Sequence, residues 1–134
     1  LHLDTPTAAL ILGTGGAAQA VATALKKSGC SITFVSRSKK SNTLTYESLT
    51  SEIIRQHPLI INTTPLGMFP NTNKFPHIDY ENLTQNHTLI DLIYNPEETL
   101  FLKKGKAKGA QICNGMTMLI SQAEASWKIW NNNF

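Results

Sequence analysis

A glycine-rich segment follows the first apolar run of the chain and has the composition of a phosphate-binding turn. It reads Gly13-Thr14-Gly15-Gly16-Ala17-Ala18. In a strand-to-helix turn the first glycine permits the tight bend, the second leaves the backbone open to a pyrophosphate, and a small residue lets the helix pack on the strand. The helix N-terminus adds free N–H groups. Residues 13–17 are therefore candidate contacts to a dinucleotide or another adenosine ligand; the alternative is a turn that needs glycine for steric reasons alone.

A basic segment ends the second apolar run and bears on the choice of cofactor. It reads Val35-Ser36-Arg37-Ser38-Lys39-Lys40. An NAD site usually has Asp or Glu here to bind the ribose hydroxyls, and that carboxylate would repel a 2′-phosphate. Arg37 can hold a phosphate through its planar guanidinium, with hydroxyl donors from Ser36 or Ser38 and further positive charge from Lys40. The segment favours NADP over NAD, although a solvated basic turn would have the same composition.

Apolar runs of strand length alternate with helical segments along the chain. The runs are Ala8–Leu12, Ile32–Val35, Leu59–Ile61, Leu89–Ile93 and Ala110–Cys113. The helical segments, each closed by Gly or Pro, are Ala17–Ser28, Tyr46–Gln56 and Glu97–Lys108. Nearly continuous apolar strands joined by helices indicate parallel pairing with helices on both faces. The predicted fold is a doubly wound α/β domain with a mostly parallel sheet and a surface excursion at Phe69–Gln85.

Size and composition fit one ordinary globular domain. The chain has 134 residues, of which 41% are hydrophobic and 16% charged, enough to bury a single core. The formal net charge of +3 comes from scattered lysines without a basic stripe interleaved with aromatics, so no nucleic-acid partner is expected. No apolar stretch approaches the length of a membrane span and no signal-peptide pattern is present, so no membrane partner is expected either.

Cysteines and histidines give no sign of a metal site. Cys30 and Cys113 are too few and too far apart for a disulfide framework or a zinc ligand set, which favours a reducing cytoplasm. The four histidines show no metal-ligand spacing and are interpreted as solvated surface residues.

The last predicted helix, about Gly115–Trp130, is apolar on two sides. One side carries Met116, Leu119, Ile120, Ala123, Trp127 and Trp130, and the other carries Met118, Ala125 and Ile129 together with Gln122. A helix of this kind needs two partners, of which one is the sheet of its own domain. We expect the second to be another domain or another copy of the chain; the alternative is a helix fully buried within this domain.

Three further motifs follow the glycine-rich turn in a fixed order. They are Ile61–Met68, Asp91–Pro96 and Asn114–Ala123. Together with the turn they resemble the cofactor domain of the shikimate dehydrogenase family, and the resemblance covers essentially the whole chain. It implies a Rossmann-like fold and NADP as the cofactor.

The resemblance implies roles for individual positions. The family's Asn-Arg-Thr segment, which recognises NADP, corresponds here to Ser36, Arg37 and Ser38. Asn62, Thr63 and Thr64 match the loop that passes the ribose of the cofactor. Further positions implied to contact the cofactor are Met68, Ile93, Gly115 and Met118, the last two in the nicotinamide pocket.

Two positions are implied to meet the substrate. Tyr94 matches the aromatic residue near nicotinamide and substrate, and Gln122 matches the glutamine that hydrogen-bonds shikimate. Taken without the resemblance, Tyr94 and Met118 would be interpreted as core residues and Gln122 as a cap on a neighbouring loop.

The family's catalytic residues are not matched in this chain. A lysine and an aspartate form its acid/base pair in a substrate-binding domain that precedes the cofactor domain, and nothing before Leu10 resembles them. Hydride transfer needs the substrate carbon against the nicotinamide with a proton donor in reach. Residues 1–134 are therefore expected to form a single NADP-binding domain without catalytic residues, which binds NADP(H) but does not turn over alone. Its expected partners are the substrate domain, shikimate and 3-dehydroshikimate, and a second copy bound through the last helix.

Three alternatives stay open from the sequence. The complete enzyme could be a quinate/shikimate dehydrogenase. An S-adenosylmethionine methyltransferase is suggested by a superficial likeness of Asp91–Pro96 to the Asn-Pro-Pro-aromatic loop, but Glu97 stands where that loop needs proline and no acid follows the second strand. A non-catalytic nucleotide-binding module would bury the last helix without a partner.

Overall fold

Six parallel strands form one sheet in the computed structural model, which describes residues 7–115. The strands are β1 Ala8–Leu12, β2 Ser31–Ser36, β3 Thr43–Thr45, β4 Leu59–Asn62, β5 Thr88–Asp91 and β6 Gln111–Asn114. Their order is β3-β2-β1-β4-β5-β6, and every neighbouring pair is parallel. The order reverses between β1 and β4, which is where ligands bind in sheets of this type. The predicted doubly wound α/β fold is confirmed.

Helices cover both faces of the sheet. They are α1 Gly16–Lys27, α2 Ser51–Gln56 and α3 Leu100–Ala107. Leu10 of β1 belongs to the same buried cluster as Phe101 of α3, whereas its neighbour Ile11 belongs to the cluster of Val21 in α1. Successive strand residues point to opposite faces, so a sheet covered on both sides needs strands that are apolar at every position. The predicted bounds of β1 match the observed ones. For α1, β2, β4 and β6, each predicted end that differs from the observed end is wrong by one residue.

The predicted helix Tyr46–Gln56 is wrong over its first half. Tyr46–Ser48 forms only a 3-10 turn, and α2 begins after Thr50, whose hydroxyl oxygen accepts a hydrogen bond from the Ile53 N–H at 3.2 Å. Threonine competes for backbone donors in this way, so it starts a helix more readily than it continues one. The sequence prediction also missed β3, a short edge strand held by its pairing with β2.

Two other predicted elements are too long. The fourth predicted strand was extended to Ile93, but β5 ends at Asp91, whose carboxyl oxygen accepts the Ile93 N–H at 3.0 Å and so takes it out of the ladder. The predicted helix from Glu97 begins instead after Thr99, whose hydroxyl caps α3 by accepting the Leu102 N–H at 3.4 Å.

The segment Phe69–Gln85 is less superficial than predicted. Ile78 and Leu83 are buried in the cluster beneath α2 and α3, and the Tyr80 ring makes an edge contact with Phe101 at 6.4 Å between centroids. The excursion therefore covers part of the core, and only its remaining positions match a surface loop.

The interpretation of the histidines as surface residues is wrong for His87. This side chain is buried, with Nε2 bonded to the Ile54 carbonyl at 2.8 Å and Nδ1 accepting the Thr84 N–H at 3.1 Å. His57 is half-buried, and its ring bonds to the Ile53 carbonyl at 2.7 Å. Both rings satisfy backbone groups, as polar side chains do when they are removed from water.

Several predictions fall outside residues 7–115, namely His2, Met118, Gln122 and the last helix beyond Gly115. Within the described residues, no helix is long and apolar enough to cross a bilayer. The same residues contain no group of three or more His, Cys, Asp and Glu side chains that could hold a metal ion.

Candidate functional site

The glycine-rich turn connects β1 to α1 at the sheet's switch point. Gly13 has a φ of 114°, and a Cβ placed there would collide with the Thr63 hydroxyl, so only glycine fits. Its N–H donates to the Val35 carbonyl at 2.8 Å, which joins the turn to β2. A Cβ at Gly15 or Gly16 would meet nothing within 4 Å, and no side chain caps α1. The first turn of α1 is thus open to a ligand.

A first cavity of about 390 Å³ lies at the carboxyl ends of β1, β2 and β4. It brings together the glycine-rich turn and the basic segment after β2, as predicted. Its lining residues are Gly13, Thr14, Gly15, Val35, Ser36, Arg37, Ser38, Lys40, Tyr46, Thr63, Thr64, Pro65 and Leu66. No carboxylate is among them, so the electrostatic character of the cavity suits a phosphate.

Two polar side chains of the first cavity are already engaged within the protein. Lys40 Nζ donates to the Thr14 hydroxyl at 3.1 Å and so connects the β2 loop to the glycine-rich turn. The Ser36 hydroxyl donates to the carbonyl of Ser38 and is buried. Ser36 therefore shapes the basic loop, which leaves Arg37 and Ser38 as the exposed predicted donors.

A second cavity of about 470 Å³ adjoins the first and shares Thr63, Thr64 and Pro65 with it. Its other lining residues are Ala17, Met68, Phe69, Leu92, Ile93, Tyr94 and Asn95. Three of them are unusually exposed for large apolar side chains: Met68 at 48%, Phe69 at 63% and Tyr94 at 58%. The structure thus groups the predicted Met68, Ile93 and Tyr94 around one apolar space. The loop that follows β4, residues 63–66 and here called the β4 loop, separates this space from the first cavity.

Asn62 lies beneath the β4 loop and holds its shape. Its side chain is fully buried, and its Oδ1 accepts the Thr64 N–H at 3.0 Å and the Thr64 hydroxyl at 2.6 Å. Its Nδ2 donates to Asp91 Oδ1 at 3.1 Å. Asn62 is not among the lining residues of either cavity, and its bonds give it a positioning role that acts through Thr64. Its contact with a cofactor stays a prediction.

No sequence pattern assigns a role to the Asp91 side chain, yet it lies at the centre of a buried polar network that joins Asn62, Ile93 and Thr99. Its buried carboxyl group accepts three hydrogen bonds: from Asn62 Nδ2, from the Ile93 N–H, and from the Thr99 hydroxyl at 2.6 Å. Burial raises the pKa of Asp91, and the bonds from Thr99, Ile93 and Asn62 oppose that rise. An acid that directly follows the buried apolar pair Leu89 and Ile90 at the end of a strand is the available signal for such a role.

Gly115 has a steric requirement of its own. A Cβ at this position would overlap the carbonyl of Leu92, and the Gly115 N–H donates to the Ile93 carbonyl at 3.3 Å. The close approach of two backbones therefore requires glycine here. This contact brings the end of β6 against the loop that lines the second cavity.

Curated relatives resemble this chain closely, although no family model matches it. It is 38% identical over 135 residues to a shikimate dehydrogenase (NADP(+)) of Methanococcus aeolicus, and 42% identical over 132 residues to that of Clostridium beijerinckii. These alignments cover 90% and 91% of this chain but 48% and 47% of the relatives. The chain spans about half the length of the curated relatives it matches. Over that half, its sequence is similar to those of shikimate dehydrogenases.

Solved structures of shikimate dehydrogenases are also similar to this chain. A shikimate dehydrogenase crystallised in complex with NADP+ is 33% identical, with a TM-score of 0.74 over 95% of this chain and 50% of that one. A chorismate mutase/shikimate 5-dehydrogenase fusion protein from Clostridium acetobutylicum is 38% identical, with a TM-score of 0.72 over 93% of this chain and 48% of that one. The shared architecture is the Rossmann-like fold implied by the sequence resemblance.

Proposed function

We propose that this chain is the NADP(H)-binding half of a shikimate dehydrogenase, which reduces 3-dehydroshikimate reversibly to shikimate. The observation that carries the proposal is the first cavity, where an uncapped helix N-terminus, Arg37 and Lys40 line one space without a carboxylate. Such a cavity suits a dinucleotide that carries an extra phosphate on its adenosine ribose. Relatives named as NADP(+) enzymes support the choice of cofactor.

The two cavities divide the cofactor between them in this proposal. The first takes the adenosine half, with the pyrophosphate at Gly13–Ala17 and the 2′-phosphate at Arg37. The second takes the nicotinamide ring, against Met68, Ile93 and Gly115, with Thr63 and Thr64 along the ribose between them. Bound NADPH supplies the hydride; the residues of this chain hold the ring and keep water from it. Met118 is proposed for the same ring and Gln122, with Tyr94, for the substrate.

The proposal treats residues 1–134 as one domain that binds cofactor without turnover. The acid/base pair belongs to a substrate domain, and the large apolar side chains exposed at the second cavity fit a surface that this domain would face. Self-association through the last helix remains a prediction. Cys30 and Cys113 are both free thiols, which supports a cytoplasmic location.

A methyltransferase function is disfavoured by the lining of the first cavity. S-adenosylmethionine has no phosphate, and its ribose hydroxyls are usually held by a carboxylate after the second strand. The residues found there are Ser36, Arg37 and Ser38. The charged side chains that line the cavity, Arg37 and Lys40, are positive and therefore favour an anionic ligand.

Substitution of Arg37 tests the proposal. Calorimetric titration of the wild type should give at least about tenfold tighter binding of NADPH than of NADH, because a charge-assisted bond to phosphate contributes about 1.5–3 kcal/mol. Arg37→Ala should remove most of that preference. The matched control is Arg55→Ala, since Arg55 is an exposed arginine paired with Glu52 at 2.8 Å on α2 and lines neither cavity. Equal affinity of the wild type for the two nucleotides would contradict the proposal.

A further inference from the structure

Tyr46 lines the first cavity although no sequence pattern pointed to it. It directly follows β3, next to β2 in the sheet, and opens the 3-10 turn at Tyr46–Ser48. Its half-buried ring packs against the core cluster beneath α2 and α3. The remaining surface of the side chain faces the cavity that also contains Arg37 and Ser38. The ring is thus fixed by the core while part of the side chain is presented to a ligand.

The Tyr46 hydroxyl makes no hydrogen bond with any described residue. The contrast is Tyr80, on the same face of the sheet, whose hydroxyl donates to the Pro76 carbonyl at 2.6 Å. Burial raises the pKa of Tyr46, and the positive charge of Arg37 opposes that rise. The phenol is therefore protonated at neutral pH, and its oxygen lies within the electrostatic field of the Arg37 guanidinium. The Tyr46 hydroxyl is thus a hydrogen-bond donor without an acceptor among the described residues. It belongs to the same cavity as the Arg37 guanidinium, which suits a phosphate.

The other donors of the cavity leave room for this one. One N–H of the Lys40 ammonium is directed to Thr14, the Ser36 hydroxyl is bonded to the Ser38 carbonyl, and Arg37 and Ser38 are exposed. A phosphate group presents three strong acceptor oxygens, more than a single guanidinium edge can satisfy.

We infer that Tyr46 is a specificity-determining contact that donates its hydroxyl to the 2′-phosphate held by Arg37. The inference rests on the proposed function, because that phosphate is the feature that distinguishes NADP from NAD. It attributes the preference for NADP over NAD to two residues at the ends of neighbouring strands, Arg37 after β2 and Tyr46 after β3. The alternative is an aromatic contact between the Tyr46 ring and the adenine base, which would not depend on the 2′-phosphate.

The test compares adenosine 2′,5′-bisphosphate with adenosine 5′-monophosphate, two probes that differ only in the 2′-phosphate. Their affinities are measured by calorimetric titration for the wild type and for Tyr46→Phe, which keeps the packed ring. We expect Tyr46→Phe to weaken the bisphosphate about tenfold and the monophosphate less than twofold. Tyr80→Phe, which removes a hydroxyl that lines neither cavity, should change neither affinity.

The outcomes separate this inference from the proposed function. Equal weakening of both probes by Tyr46→Phe would assign the residue to adenine and overturn the inference. No weakening of either probe would overturn it as well. If the wild type does not prefer the bisphosphate, the proposed function itself fails, whatever the variant does. A circular dichroism spectrum that matches the wild type confirms that each variant is folded before it is titrated.

Discussion

Removal of the Asp91 carboxyl group should destabilise the protein more than any surface substitution. Asp91→Ala removes the acceptor of three buried donors: one N–H of the Asn62 amide, the Ile93 N–H and the Thr99 hydroxyl. An unsatisfied buried donor costs about 1–3 kcal/mol, so with some relaxation the loss is about 3–5 kcal/mol. That is a large part of the roughly 5–15 kcal/mol by which domains are stable.

Asp91→Asn is the matched conservative variant. Its carbonyl oxygen can still accept from Asn62 and from the Ile93 N–H, but its NH2 group meets the Thr99 hydroxyl, which then has no acceptor for its own hydrogen. We expect a loss of about 1–2 kcal/mol at neutral pH. Urea unfolding followed by circular dichroism at 222 nm measures both variants.

The pH dependence of stability separates the charge of Asp91 from its shape. Below the ordinary pKa of 3.8 the carboxyl group is protonated in both the folded and the unfolded chain. Because the folded-state pKa is raised, the unfolded chain releases its proton first as the pH rises. The free energy of unfolding of the wild type therefore falls relative to Asp91→Asn between pH 3.8 and the folded-state pKa, and is constant above it.

The difference between wild type and Asp91→Asn should thus be largest in acid and smaller at neutral pH. A difference that grows with pH would refute this reasoning, because it would mean that the three donors lower the pKa by more than burial raises it. A variant more stable than the wild type at every pH would refute the claim that the carboxyl group satisfies those donors.

Two further substitutions test single steric contacts. Gly13→Ala combines a positive φ with a collision against the Thr63 hydroxyl, so we expect a loss of about 1–3 kcal/mol in thermal unfolding and weaker NADPH binding in calorimetry. Gly105→Ala gains about 1 kcal/mol of helix propensity but pushes a methyl group into the buried Leu89 side chain, where overpacking costs about 1–3 kcal/mol. A net loss in urea unfolding is expected, and a more stable Gly105→Ala would show that the core can make room.

The parts of the fold that could be predicted from sequence are those in which local pattern and tertiary role agree. Ala8–Leu12 is apolar at every position because both faces of β1 are covered, so its bounds were predicted without error. β3 has the sequence Thr43-Leu44-Thr45 and is stabilised by pairing with β2, which no local pattern reveals. The start of α2 after Thr50 depends on one hydrogen bond, from the Ile53 N–H to the Thr50 hydroxyl. This bond competes with the tendency of the same residues to continue a helix, so helix propensity alone does not reveal it.

The same distinction between local pattern and tertiary contact applies to the candidate site. Glycine and arginine positions were found because their residue types restrict backbone or charge chemistry. Asn62 was assigned to the cofactor because its motif was recognised, but a motif does not reveal that its amide faces inward to Asp91. The local pattern predicts that Tyr46 begins a helix, and only the pairing of β3 with β2 brings it to the cavity.

The β4 loop is the element on which both halves of the proposed site depend. Thr63 ties it to β1, since its N–H and its hydroxyl both donate to the Leu12 carbonyl, at 2.9 and 2.6 Å. Asn62 ties it to β5 through Asp91. Hydride transfer requires the nicotinamide ring to be held in one orientation, which a protein achieves most directly when the walls of the site are fixed before the ligand binds. In the proposed function, a wall shared by both cavities and bonded to two strands would meet that requirement, because it would set the distance between the adenosine and nicotinamide ends before the cofactor binds.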